Sequence, residues 1–338
     1  MAAEREQTRH AERGARRAGR LGLALGMATL LCATAAQAQA PDPVTLLKRA
    51  LGTHPAYEGA QTSTLHTENG PVTSTVVVQS DGAGSIRRAY GADQAIIVLR
   101  TPKGMFQRDA SGRWIALPVV AERDPAVVAR EIARNYRLRL LPPVTLLGRR
   151  AWPLNIEAKQ PFDPGRRLWI DSETGLPLRD ELLAPDGRLR SSSAFTRVRF
   201  GPQPASLFAP PAEAAGPALF GPSSFHTHAT REEVERETGR AILLPSYVPP
   251  GYQPVQYGDM QTRMGLRMPA VRYSNGLSSF TIFQRGFGGG RRMGPERGMG
   301  LRSGRQQAVV EHGGRRANYL LIGDLAESEL RRVAESLP

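Results

Sequence analysis

Most of this chain alternates apolar and polar residues over runs of a few positions, and only four stretches change to a helical period. "PDPVTLLKRALG" (41–52) sets Asp42 and Pro43 ahead of apolar positions 44, 46, 47 and 51, with Gly52 as a stop. That pattern predicts a short, capped amphipathic helix. "DPAVVAREIARNYRL" (124–138) brings Val127, Val128, Ile132 and Tyr136 to one face behind Asp124-Pro125, which predicts a helix lying across a sheet. "THATREEVERETGR" (227–240) has Thr230 at a capping position and acids in its first turn. "LAESELRRVAESLP" (325–338) places Leu325, Leu330, Val333 and Leu337 roughly on one face.

Strands are predicted between these helices. "STVVVQS" (74–80), "QAIIVLR" (94–100) and "RWIALPVV" (113–120) are β-rich and are separated by turn clusters. "PVTLLGRRAWPLNIEA" (143–158) continues the pattern, and residues 166–200, "RRLWIDSETGLPLRDELLAPDGRLRSSSAFTRVRF", predict three consecutive strands divided by two turns. In that stretch Leu168 and Ile170 point one way and Trp169 the other, while Leu176, Leu178 and Leu182 share one parity. Phe195 has odd parity but Val198 and Phe200 even, which predicts a β-bulge near Thr196 that bends the strand. Strands apolar on both sides suit a sheet packed on helices at one face and lining a cavity at the other. Leu168, Trp169, Ile170, Leu178, Leu182 and Phe195 are therefore candidate cavity residues, although each would serve equally well in an ordinary core.

A Pro/Ala/Gly-rich stretch without period, 200–224, divides the chain. The expected domains are 41–208 and 227–338, joined by a linker at 209–226. In the second, Ser274-Asn275-Gly276 and Gly313-Gly314 each mark a turn between β-rich runs. The fold class expected is α+β in both domains.

Composition changes this picture mainly at the N-terminus. An Arg-rich leader (1–20) is followed by the apolar run "LGLALGMATLLCATAA" and by "AQAQA", the pattern of a secretory signal peptide (1–38) cut near Ala38. The apolar run is short of the roughly 20 residues a membrane span needs. Cys32 is the sole cysteine and lies inside that segment, so the exported chain would have no disulfide, thiolate ligand or Cys nucleophile. Bulky Leu30-Leu31 before Cys32 fit a lipidation signal poorly. Six Arg against three Glu leave with residues 1–38, so the remainder carries +11 of the formal +14. A basic exported protein meets anionic headgroups, lipopolysaccharide phosphates or acidic protein segments and not nucleic acid, unless the basic composition has no partner at all.

Candidate chemistry is sparse. The chain has no G-x-S-x-G, H-E-x-x-H, phosphate-binding loop or dinucleotide fingerprint, and no cofactor is expected. His226 and His228 could share a face in an extended segment, but two ligands without a third make a poor metal site. Met260, Met264, Met268, Met293 and Met299 are a local excess of thioethers, suited to Cu(I) or to an adaptable apolar surface. The Arg/Gly/Met-rich segment 285–305 reads either as a loop between strands or, through Arg285, Arg291, Arg292 and Arg297, as a dock for an anionic partner.

The order "NYRLRLL", "VTLLGRRAWPLNIEAK", the 166–200 stretch and "LFAPP" resembles the N-terminal domain of the RseB/MucB family of periplasmic sigma-E regulators. "LLPSYVPPGYQP", "VRYSNGLSSFTIFQ" and "LAESELRRVAESLP" are similar to that family's C-terminal domain. The family's longer early strand is answered only by "AYEGAQTSTL", and segment 285–305 has no counterpart in its pattern. The resemblance implies a curved antiparallel β half-barrel wrapped around helices, like the LolA/LolB lipoprotein carriers, followed by a smaller α+β domain. It implies a periplasmic, non-enzymatic protein that binds the periplasmic part of a membrane-spanning anti-sigma factor. An apolar cavity would take acyl chains, lipopolysaccharide or lipoprotein. In the second domain, Tyr273 and Phe280 of the strand–turn–strand segment join the arginines as candidate partner-binding residues. Two other readings remain: a lipoprotein or lipid carrier without a sigma-factor role, and an envelope metal-binding protein.

Overall fold

The computed structural model describes residues 40–338 except 68, 92, 118–121, 213–224, 262–266, 286–307 and 315. The signal-peptide reading and Cys32 therefore lie outside the described residues.

The first helix, α1 (Pro43–Leu51), starts where Asp42 accepts the Thr45 N–H at 2.8 Å, and it buries Leu46, Leu47 and Ala50. Six strands follow: β1 (Tyr57–Thr67), β2 (Gly70–Ser80), β3 (Ile86–Tyr90), β4 (Ile96–Thr101), β5 (Gly104–Arg108) and β6 (Trp114–Leu117). Helix α2 (Pro125–Asn135) is capped by Asp124, which accepts the Ala126 N–H at 2.7 Å. Its buried residues are Ala129, Glu131 and Ile132. Tyr136 has already left the helix and begins β7 (Tyr136–Leu140), so the expected helical face ends one turn early. Next come β8 (Val144–Leu146), β9 (Arg149–Ala158), β10 (Gly165–Asp171), β11 (Pro177–Leu183) and β12 (Leu189–Phe200), then a 3₁₀ turn at Ala205–Phe208.

These twelve strands make one antiparallel sheet in the order β6-β5-β4-β3-β2-β1-β12-β11-β10-β9-β7, with β8 beside β9. Residues 166–200 supply β10, β11 and β12 as three consecutive strands, as their alternation predicts. The bulge expected near Thr196 is present: Ala60 faces Arg197 and Gln61 faces Phe195, so Thr196 is the extra residue. Further register shifts occur beside Ile170 and Leu183. Bulges of this kind bend strands, and three of them on adjacent ladders curve the sheet.

Gly59 is required at the first bend, because a Cβ there would stand 2.5 Å from the Phe195 ring and 2.8 Å from the Arg197 carbonyl. Gly59→Ala is expected to cost about 1–3 kcal/mol through overpacking, read as an earlier midpoint in chemical denaturation. An unchanged midpoint would mean that the Phe195 ring has room to move.

The second sheet contains β13 (Phe225–His228), β14 (Gln253–Gln261), β15 (Arg267–Ser274), β16 (Ser279–Arg285), β17 (Ala308–Gly313) and β18 (Asn318–Gly323). Its order is β13-β14-β15-β16-β18-β17, all antiparallel. Helix α3 (Arg231–Thr238) is capped by Thr230, and α4 (Glu327–Glu335) buries Leu330 and Val333. Both helices pack with Tyr252, Val271, Ile282 and Leu321 in one core. No described helix is long and apolar enough to cross a membrane.

Candidate functional site

Registered partners across a sheet share a face, which makes it possible to follow one face of the large sheet from end to end. Leu168 pairs with Asp180, Asp180 with Ser193, Ser193 with Ser63, and Ser63 with Ser74. Alternation then carries the face to Val76 and Val78, which pair with Tyr90 and Arg88, and these pair with Ile96 and Val98. At its β9–β10 end this face is covered: Leu154, Ile156, Leu168 and Ile170 are buried against Leu46, Leu47, Ala129 and Ile132 of α1 and α2. At the β3–β6 end the same face carries Ile86, Tyr90, Ile96, Val98, Met105 and Ile115, all only partly buried. Two cations stand among them, Arg88 and Arg100. Burial, and then the charge of Arg88, lower the Arg100 pKa, and Arg100 pairs with Glu122. The result is a half-exposed apolar floor with guanidinium groups set into it.

None of the six residues proposed from parity lies on β3–β6, but Leu178 and Phe195 belong to the cluster against which the floor residues Ile86 and Tyr90 pack. Leu168 and Ile170 lie beneath the helices at 2% and 0% exposure. Leu178 and Phe195 are also buried, in a cluster with Tyr57, Val76 and Val78. Trp169 projects from the opposite side of β10, where Arg179 lies 4.7 Å over its ring. Leu182 is half-buried on the helix side, beside the Arg166–Asp180 ion pair. Sequence reasoning missed the β3–β6 floor because "SIRRAY" (85–90) breaks its alternation with two arginines. The alternation of "QAIIVLR" was the available signal.

The partner candidates also separate. Tyr273 and Phe280 are 2% and 1% exposed and stack at 4.9 Å in the core of the second sheet, so they hold that sheet together and present nothing to a partner. Arg285 is partly buried at the end of β16. Arg291, Arg292 and Arg297 lie outside the described residues, as do Met264, Met293 and Met299. Met260 and Met268 face each other across β14 and β15.

His228 gives its Nε2 to the fully buried Asp259 at 2.7 Å, and Arg267 binds both oxygens of that carboxylate. Burial opposes ionisation of Asp259, but the bonds from Arg267 and His228 hold its carboxyl below the usual range. A guanidinium in this position neutralises the carboxylate that a cation would need. Among the described residues no group of three or more His, Cys, Asp or Glu could hold a metal.

A polar junction joins the two sheets, and it was not legible beforehand. Asn135 at the end of α2 donates to the carbonyls of Asn275 (2.8 Å) and Gly251 (3.2 Å). Asn275 donates to the Tyr136 hydroxyl at 2.9 Å, and Tyr252 donates to Asp163 at 2.7 Å. Gln253 reaches Glu131 at 2.7 Å. Leu277 packs into the first core and Phe162 into the second, so each sheet inserts one side chain into the other. Gly276, at φ +100°, has Ile132 and Glu131 within about 3 Å of where a Cβ would stand, so only glycine lets this turn approach α2.

A long antiparallel sheet, helix-covered at one end and apolar at the other, joined through a buried polar seam to a smaller sheet, is an α+β architecture. Residues 83–214 match the family model for the MucB/RseB N-terminal domain. That match covers 132 of the 338 residues and agrees with the motif resemblance there. The solved structures add the fold. A MucA/MucB complex from Pseudomonas aeruginosa aligns at TM-score 0.59 and 18% identity, over 88% of this chain and 99% of that one. MucB in complex with MucA(peri) aligns at 0.56 and 19%, over 88% and 98%, and MucB itself at 0.50 and 19%, over 88% and 96%. No curated protein sequence matches the chain.

Proposed function

We propose that this protein is an exported regulator that binds the periplasmic segment of a membrane-spanning anti-sigma factor. The observation that supports the reading most is that the likeness to MucB bound to MucA spans both sheets, with nearly the whole of that MucB chain covered. In this reading residues 41–208 and 227–338 act as two domains across the polar seam, in the periplasm, after removal of the first 38 residues. Affinity capture from detergent-solubilised envelope, with the exported chain as bait, is expected to recover a single-span anti-sigma protein. Recovery of lipoproteins alone would replace this reading with that of a carrier.

The β3–β6 floor favours lipid or lipoprotein as a second ligand, sensed on the same scaffold. Val98→Glu puts a carboxylate in the middle of the floor beside its registered partner Arg88, which removes apolar surface and occupies the cation that a head group would use. Displacement of a fluorescent fatty acid is expected to weaken about tenfold or more in this variant, with little change in melting temperature. Equal affinity in both proteins would remove the floor as an acyl site.

A further inference from the structure

On the opposite face of β3–β5 from the apolar floor, two arginines meet with no acid between them among the described residues. Arg87 and Arg108 both reach Gln94, in the turn between β3 and β4. Arg87 donates to the Gln94 side-chain oxygen at 3.4 Å, and Arg108 donates to its carbonyl at 3.1 Å. Arg87 also donates to the Gln79 side chain at 2.8 Å. All three acceptors are neutral amides. Among the described residues the buried Arg108 Nε has no acceptor.

The nearby described acids bond other groups first, and Glu58 reaches Arg87 only through Gln79. Glu58 accepts from Gln79, Asp109 serves Ser111 and Arg113, and Asp93 accepts the Ala95 N–H. Burial and then the charge of Arg108 depress the Arg87 pKa, as expected of like charges held together. Gln94 itself sits at φ +52°, a left-handed conformation that is unusual outside glycine. A strained residue thus holds two partly buried cations together, whereas buried charges are ordinarily paired.

We infer that Arg87 and Arg108 form an oxyanion site for a phosphate-type group, free or esterified, on the face of the sheet away from the apolar floor. Two guanidinium forks suit the several acceptor oxygens of phosphate. A bound dianion would supply the missing charge and leave Gln94 as the clamp that aligns the pair. The site does not depend on the anti-sigma reading.

The test is thermal unfolding of the exported chain in inorganic phosphate against chloride at matched ionic strength. It is paired with co-sedimentation on phosphatidylcholine vesicles with and without phosphatidic acid. Wild type is expected to melt higher in phosphate, and the apparent affinity should fall about tenfold or more in Arg87→Gln/Arg108→Gln. Arg108→Lys keeps the charge but loses the fork, and it should retain only part of the response. If phosphatidic acid vesicles capture wild type and not the double variant while free phosphate has no effect, the site is confirmed for an esterified group. A melting temperature that responds no more to phosphate than to chloride, together with equal vesicle binding by wild type and variant, overturns the proposal. So does an equal phosphate shift in the variant. Removing an uncompensated like charge should leave the fold intact, and an unshifted melting temperature of Arg87→Gln in chloride checks this.

Discussion

Asp171→Ala is expected to lose about 1–3 kcal/mol of stability at pH 7, the cost of leaving the Thr174 N–H and hydroxyl without their acceptor and Arg149 with the exposed Glu173 alone. Asp171 closes β10 and has no exposed surface. Arg149 binds its carboxylate through Nε at 2.6 Å and Nη2 at 3.1 Å, and the Thr174 N–H and hydroxyl each donate at 2.8 Å. Its own N–H and carbonyl close the turn with Leu176 and Gly175. Burial alone would raise this carboxyl, but the Arg149 and Thr174 bonds outweigh it and hold it below the usual range. A depressed carboxyl contributes stability above its unfolded value, near 4, and loses it as the pH falls through the folded value. The gap between wild type and variant should therefore be full at neutral pH and narrow below about pH 4. Urea titrations at pH 7 and pH 3.5 measure both; a gap that does not depend on pH would mean that the loss is one of packing alone.

Asp163→Asn is expected to act in the opposite direction and stabilise the protein at pH 8. Asp163 is 2% exposed in the seam between the sheets, and burial pushes its carboxyl up to about 6 despite the bonds from Tyr252 and Asn275. Glu329 faces it from α4 and adds to the rise, and Tyr136 lies close enough to feel its charge. A carboxyl raised in the folded state costs stability in full above about pH 6, and that cost fades as the pH falls toward its unfolded value near 4. At about 1.4 kcal/mol per pH unit of displacement, the cost at pH 8 is on the order of 2–3 kcal/mol at most. The asparagine variant should recover much of it at pH 8 and nothing near pH 4. Denaturation midpoints between pH 4 and pH 8 decide it, because a wild-type profile as flat as the variant's would show that Asp163 carries no such penalty.

The seam also explains why part of this protein was readable and part was not. The four helices, the three strands of 166–200 and the bulge at Thr196 follow from local rules: caps, period and parity at fixed spacing. Strands β3 and β5 were harder, since "IRRAY" and "GMFQR" are five residues long and carry half-buried arginines on both faces of the sheet. Parity correctly separated Leu168 and Ile170 from Trp169. It could not tell which end of the face the helices would cover, because that depends on where α1 and α2 pack, and even Ile132 lies 22 positions from Leu154.

Ser274-Asn275-Gly276 draws the line most clearly. Its sequence determined a tight turn, because glycine tolerates φ +100° and Ser274 and Asn275 bond the backbone around it. That the same turn would press on α2, receive Asn135 and bond Tyr136 was decided only by tertiary structure. Local propensity is fixed by neighbours within a few residues, whereas these contacts join groups about 140 positions apart. The sequence alone determined strands, turns, caps and a family resemblance. The packing of sheet on helix and sheet on sheet decided which apolar side chains became core, which stayed half-exposed on β3–β6, and that Arg87 and Arg108 came together on Gln94.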